Sequence, residues 1–265
     1  MVDAETKRKA RELGVAGLAE IIESVSEDPS YAALTFDEKM KIVIDHAHAE
    51  MGRKQVESLL KSAKLRFPQA DISNIVYENR PLSRDLVNQL GTTQFVASAT
   101  DVILEGFTGT GKSHLACALG KQACKHGIRT MYVRMPDMLA YREERMRAGW
   151  AEKKVLRKFA SCKILILDEW LIDKPTTEQM HFLLELTELR YDNSSTIYCS
   201  QYSHKDWHRR MGAGAHAESV MDRGTVKNLA HFSDSLISPP SGAATPPAES
   251  RPDSASSPTR SRPRT

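Results

Sequence analysis

The sequence contains no run approaching the roughly 18 apolar residues that a membrane-spanning helix needs. It also lacks a dominant charge: the formal net charge is +3 at pH 7, with 27% charged residues. Such a balance permits a nucleic-acid partner without requiring one. There are only four cysteines, Cys117, Cys124, Cys162 and Cys199, with no C-x-x-C pair and no histidine at zinc-ligand spacing. That excludes a disulfide framework and a zinc knuckle, leaving reduced, buried thiols as the expectation. Residues 1–11 are charged and lack the apolar stretch of a signal peptide, so a soluble, cytoplasmic protein without a membrane partner is expected. Residues 238–265 contain no Ile, Leu, Val, Phe or Lys, and Pro, Ser, Ala and Arg dominate them. Such a segment has nothing with which to bury a core and is expected to be a disordered tail.

What remains is enough for one sizeable core and a small accessory domain, since the chain has 265 residues. Apolar residues at Leu13, Ala16, Ile21 and Val25 are spaced as in a helix over residues 7–24. Thr35 with Glu38 forms a capping box, and Phe36, Met40, Val43, Ile44, Ala47 and Met51 follow at helical periodicity, predicting a long amphipathic helix over 36–64. Its outer face carries Lys39, Lys41, Arg53, Lys54, Lys61, Lys64 and Arg66. Those cations can meet DNA phosphates. They can equally form a solvated face, which a Glu57–Lys61 pair at i,i+4 would support. Pro68 ends the helix, and residues 71–94 read as a linker with a short helix over 83–90.

From Asp101 the pattern changes. The apolar run Val102-Ile103-Leu104 enters a glycine-rich loop, and a helix over 112–125 follows, stopped by Gly127. Further apolar runs at 130–134, 164–167 and 196–199 alternate with helical stretches, one of them spanning 177–191. Alternating strands and helices imply an α/β fold, a parallel sheet with helices on both faces. The expected organisation is a helical domain over 1–70, a linker over 71–100, an α/β core over 101–237 and the tail over 238–265.

The loop Gly106-Phe107-Thr108-Gly109-Thr110-Gly111-Lys112-Ser113 matches G-x-x-x-x-G-K-[ST]. Its glycines let successive N–H groups and the following helix N-terminus point at one anionic group; the pattern is a phosphate cradle when a strand precedes it and a helix follows. Lys112 would reach the β- and γ-phosphates of ATP, and Ser113 would offer its hydroxyl to Mg²⁺. Residues 164–167 end in Asp168 and Glu169, suited to hold the Mg²⁺ shell and to polarise the attacking water respectively. Gln201, after the strand over 196–199, would orient that water or sense the γ-phosphate. Arg223, after Val220-Met221-Asp222, is either an arginine finger reaching a neighbouring subunit or half of a surface ion pair. His46 and His48 face different sides of their helix, and His204 and His208 lack a thiol or acidic partner. No transition-metal site is read there.

Together these blocks resemble the IstB-like helper ATPases of insertion-sequence transposition, AAA+ proteins close to the DnaC helicase loaders. The resemblance spans residues 34–231 and rests on Leu34-Thr35-Phe36-Asp37-Glu38, residues 59–66, 106–120 and 164–170, and Ser200-Gln201 through Trp207-His208. It implies a P-loop NTPase of the AAA+ class that binds ATP and Mg²⁺, assembles as a homo-oligomer on double-stranded DNA and serves an IstA-like transposase. Carried over, Lys112, Ser113 and Asp168 look like the nucleotide and Mg²⁺ ligands. Glu169 looks like the hydrolytic carboxylate, Gln201 like the first sensor and Arg223 like the interface arginine. The resemblance also favours DNA contact by Lys54, Lys61, Lys64 or Arg66.

One departure stands out. After Arg223 the family continues with an apolar helix and a final strand, whereas here Gly224-Thr225 intervene and a fifth core strand is hard to find. A frameshifted or decayed, non-catalytic copy would read this way. A helicase loader sharing the same ATPase core is a further alternative.

Overall fold

The computed structural model describes residues 2–78, 82–212 and 231–232, the last two by their backbone. Arg223 and the tail over 238–265 lie outside the described residues.

The apolar runs become a parallel sheet: β1 (Val102–Glu105), β2 (Thr130–Arg134), β3 (Ile164–Asp168) and β4 (Ser195–Ser200), with a two-residue β5 (His231–Phe232). Their order is β2-β3-β4-β1-β5. The fifth strand that the sequence hides is therefore present, pairing His231 with Ile103 and Phe232 with Leu104. Two residues leave no period to detect, which is why it escapes a pattern search.

β1, β3 and β4 are buried along their whole length, as strands covered on both faces must be. Alternate residues feed two cores. Ile103, Leu165, Leu167 and Tyr198 face α7 (Met135–Arg147), α8 (Glu152–Ala160), α9 (Thr177–Arg190) and α10 (His204–Met211). Val102, Leu104, Ile164 and Ile166 face α6 (Lys112–Lys125) on the other side. The second core also takes Val87 and Leu90 from α4 (Arg84–Gly91) and Phe95 from α5 (Gln94–Ala97). Much of the segment read as linker is thus packed against the sheet.

The N-terminal helix expected over 7–24 is two helices, α1 (Ala4–Glu12) and α2 (Ala16–Glu27). Gly14 separates them at φ +74°. There the N–H of Val15 bonds the Ala10 carbonyl and that of Gly14 the Arg11 carbonyl, a Schellman stop. The long helix, α3 (Phe36–Ala63), starts at the expected capping box. Its apolar stripe is only partly used, since Phe36, Ile44 and Met51 are exposed while Val43 is buried. Glu57 pairs with Arg53, which also holds Glu50, rather than with Lys61.

Candidate nucleotide-binding site

The site lies at the carboxyl ends of the strands, where the chain leaves β1 and crosses over to β2 at the far edge. In open α/β sheets such switch points open a crevice. Residues 106–113 curl there, with Gly109 and Gly111 at φ +86° and +93°, values that favour glycine. Gly111 is the N-cap of α6 and supplies no side-chain cap, so the first helix amides point into the curl. Across the loop, Thr110 donates its hydroxyl to the Phe107 carbonyl at 2.9 Å. The Lys112 ammonium lies inside it, donating to the carbonyls of Gly106 at 2.6 Å and Phe107 at 2.7 Å. Amides, dipole and ammonium converge on a volume suited to a polyphosphate.

β4 borders the same crevice. The Gly106 N–H bonds the Ser200 carbonyl at 3.3 Å, and the Thr108 hydroxyl donates to Gln201 Oε1 at 2.9 Å. Gln201 is therefore joined directly to the loop.

Asp168 closes β3 and is 3% exposed. Its Oδ1 accepts from the Glu169 amide at 2.9 Å and its Oδ2 from the Tyr132 hydroxyl at 2.6 Å. Burial, reinforced by the neighbouring carboxylate, pushes the Tyr132 hydroxyl up, keeping it a proton donor. Glu169 sits at φ +55°, a turn secured by the Trp170 N–H bonding the Cys199 carbonyl at 2.9 Å. Its Oε2 accepts from Arg134 Nη2 at 2.6 Å.

Tyr132, Arg134 and Arg66 surround the acidic pair without any sequence signal. Arg134 stands opposite Asp168 in the β2–β3 register, and strand register is what a sequence leaves unstated. Arg66 corrects an expectation: it is not on the outer face of α3 with the other cations. α3 ends at Ala63, Lys64 turns at φ +52°, and the Arg66 guanidinium points to Asp168 and Glu169, 3.7 Å from each. Arg223 cannot be placed, being outside the described residues.

The IstB-like ATP binding protein family model matches residues 8–234. An insertion-sequence ATP-binding protein, y4uH, of Sinorhizobium fredii (strain NBRC 101917 / NGR234) is 28% identical over 223 residues, covering 84% of this chain and 90% of its own length. The insertion sequence IS1162 ATP-binding protein of Pseudomonas fluorescens is 31% identical over 205 residues, covering 76% of this chain and 87% of its own length. Among solved structures, the DnaC helicase loader superposes with a TM-score of 0.51 at 21% identity, covering 63% of this chain and 98% of that one. The replication initiator DnaA bound to AMPPCP and single-stranded DNA gives 0.54 at 19% identity, with 64% of this chain and 51% of that one covered. These two likenesses concern the fold, a P-loop AAA+ domain. With the family model spanning most of the sequence and the glycine loop, Lys112 and the acidic strand end in place, the chain belongs to the IstB-like ATP-binding protein family.

Proposed function

We propose that the protein is an ATPase that assembles as an oligomer on double-stranded DNA and serves the transposase of an insertion sequence. The observation that carries the ATPase part is the Lys112 ammonium held at the centre of the loop, with Asp168 and Glu169 on the same sheet edge. In this mechanism the amides of residues 106–113 bind the phosphates, and Lys112 exchanges its loop carbonyls for β- and γ-phosphate oxygens. Ser113 and Asp168 offer hard oxygen donors of the kind Mg²⁺ takes. When bound, the ion would offset charge building up on the phosphates. Glu169 accepts a proton from the attacking water, and Gln201 orients that water from the loop side. Arg223 is the candidate for a finger in the neighbouring subunit.

The DNA part is supported by the relatives, which are named as insertion-sequence proteins, and by the surface of α7 and α8. There Lys158 lies 3.4 Å from the Tyr141 ring centroid and Lys154 lies 3.8 Å from that of Trp150, with Arg145 between the two rings. Cations interleaved with aromatic faces suit a nucleic-acid backbone. Lys61 and Lys64, exposed at the end of α3, are a separate pair of cations, on the helix that packs into the other core.

The test is ATP hydrolysis with Mg²⁺ and duplex DNA in the wild type and in Lys112→Ala. Turnover in the wild type that disappears in the variant is expected, and equal rates in both would sink the catalytic assignment. A pulldown that recovers a replicative helicase and no transposase would turn the partner assignment toward a helicase loader.

A further inference from the structure

Arg66 belongs to the N-terminal helices by sequence and to the acidic pair by position. The left-handed turn at Lys64 and the buried Leu65 redirect the chain after α3, bringing Arg66 Nη1 3.7 Å from Asp168 Oδ2 and 3.7 Å from Glu169 Oε1. The following residue anchors the turn: the Phe67 ring lies 5.8 Å from that of His114, next to Ser113. Arg66 stacks over Phe67 at 5.5 Å.

The two carboxylates are not equally served. Arg134 already bonds Glu169 at 2.6 Å, a charge-assisted hydrogen bond. At 3.7 Å Arg66 is beyond hydrogen-bond range of either acid, so its effect there is through its charge. Its side chain is 48% exposed, and besides Phe67 it has the Tyr132 hydroxyl as a partner, so swinging away gives up that contact together with the two ion pairs.

We propose that Arg66 is a positioning residue that sets the magnesium affinity of the nucleotide site and couples it to the end of α3. The proposal rests on Asp168 being a magnesium ligand. A guanidinium a few ångströms from that carboxylate opposes a divalent cation, and withdrawing it favours the ion. Lys61 lies on the last turn of α3 and Lys64 forms the turn that leads to Arg66, so a phosphate backbone that meets the two lysines also offers Arg66 a competing anion and draws it from the acids. By reciprocity, Mg²⁺-nucleotide binding then strengthens DNA contact at α3.

The full-length protein is titrated with Mg²⁺ in the presence of a fluorescent, non-hydrolysable ATP analogue, so that the readout is binding and not turnover. In Arg66→Gln the Mg²⁺ midpoint falls about three- to tenfold, the size expected of one unit charge near a divalent ion in a largely aqueous setting. Arg66→Lys, which keeps the charge, stays near the wild type and shows that the turn still folds. Duplex DNA lowers the wild-type midpoint and leaves that of Arg66→Gln in place. A midpoint in Arg66→Gln that is unchanged or raised overturns the proposal, and an equal DNA shift in both proteins overturns the coupling to α3. Asp168→Asn in the same titration separates the two levels. If it raises the midpoint while Arg66→Gln is silent, only the role of Arg66 falls; if it is itself silent, the magnesium assignment falls and Arg66 with it.

Discussion

The hydroxyl of Thr108 and the amide oxygen of Gln201, 93 residues apart in sequence, meet at 2.9 Å and tie the glycine loop to the end of β4. With Oε1 engaged, the Nε2 hydrogens are what Gln201 has left to donate. We predict that Gln201→Ala lowers kcat for ATP about tenfold to a hundredfold, with nucleotide affinity changing less than about threefold, the pattern of a group that acts in the transition state. Thr108→Val, which removes only the orienting hydroxyl, should lie between it and the wild type. An effect confined to affinity would make Gln201 a binding residue instead.

Glu169 is bound to Arg134 and placed at the surface end of β3, whereas Asp168 is buried and held by two donors. Their neutralisation should therefore separate. Glu169→Gln is predicted to keep ATP binding and lose turnover by about 10²–10⁴, the usual contribution of a general base. Single-turnover hydrolysis and equilibrium nucleotide binding, measured on the same preparation, check this; undiminished hydrolysis would remove Glu169 from the mechanism.

Two helical glycines differ sharply in surroundings. A Cβ at Gly120 in α6 would meet Ile166 Cδ1 at 2.8 Å and Leu65 Cδ2 at 3.2 Å, whereas one at Gly52 in α3 meets nothing within 4 Å. Alanine gains about 1 kcal/mol of helix propensity at either position, but overpacking at Gly120 costs about 1–3 kcal/mol. Gly52→Ala should raise Tm by about 2–4 °C, and Gly120→Ala should leave it unchanged or lower it by a few degrees. Thermal melts of the two variants decide it, and a stabilising Gly120→Ala would show that Ile166 and Leu65 yield easily.

The parts of this fold legible in the sequence were those with a local code. The capping box at Thr35 and Glu38, the strand at 164–167 and the stop at Gly127 each follow from neighbouring residues, and each appears where expected. The α1–α2 break was missed because Gly14 sits within an otherwise continuous helical spacing. What stayed hidden depends on distant partners. Arg190, 3% exposed, donates to the carbonyls of Phe159, Cys162 and Ser195, and nothing within α9 distinguishes it from a solvated arginine. Tyr132, Arg134 and Arg66 gather at the acidic pair for the same reason.

Asp71 fastens the segment before α4 to α6. Its carboxylate accepts from Lys125 at 2.9 Å and from the Ser73 amide at 3.3 Å, with Lys121 at 3.5 Å. The hydrogen bond from Lys125 and that from the Ser73 amide hold its carboxyl well below the usual carboxylate range. The folded value is depressed, so the contribution to stability is present above the unfolded value of about 4 and is lost as pH falls through the folded one. Asp71→Asn should therefore lower Tm at pH 7, and the gap to the wild type should close in strong acid. Partial solvent exposure keeps the loss at about 1 kcal/mol or less. A gap independent of pH would mean that the side chain matters by shape and not by charge.

The surface of α7 and α8 gives the sharpest test of DNA contact, because its cations are already stacked on aromatic rings. Lys158 on Tyr141 and Lys154 on Trp150 present charge on rigid supports, which limits the entropy lost on meeting a phosphate. Each phosphate neutralised releases counterions and adds about 0.9 to the slope of log affinity against log salt. Replacing both lysines by glutamine should weaken duplex binding at low salt and reduce that slope by nearly 2, with little dependence on the DNA sequence. Trp150→Ala should weaken binding while leaving the slope almost unchanged, since it removes a support and no charge. If neither variant alters affinity or slope, the contact with DNA does not pass through this face, and Lys61 and Lys64 at the end of α3 become the place to look.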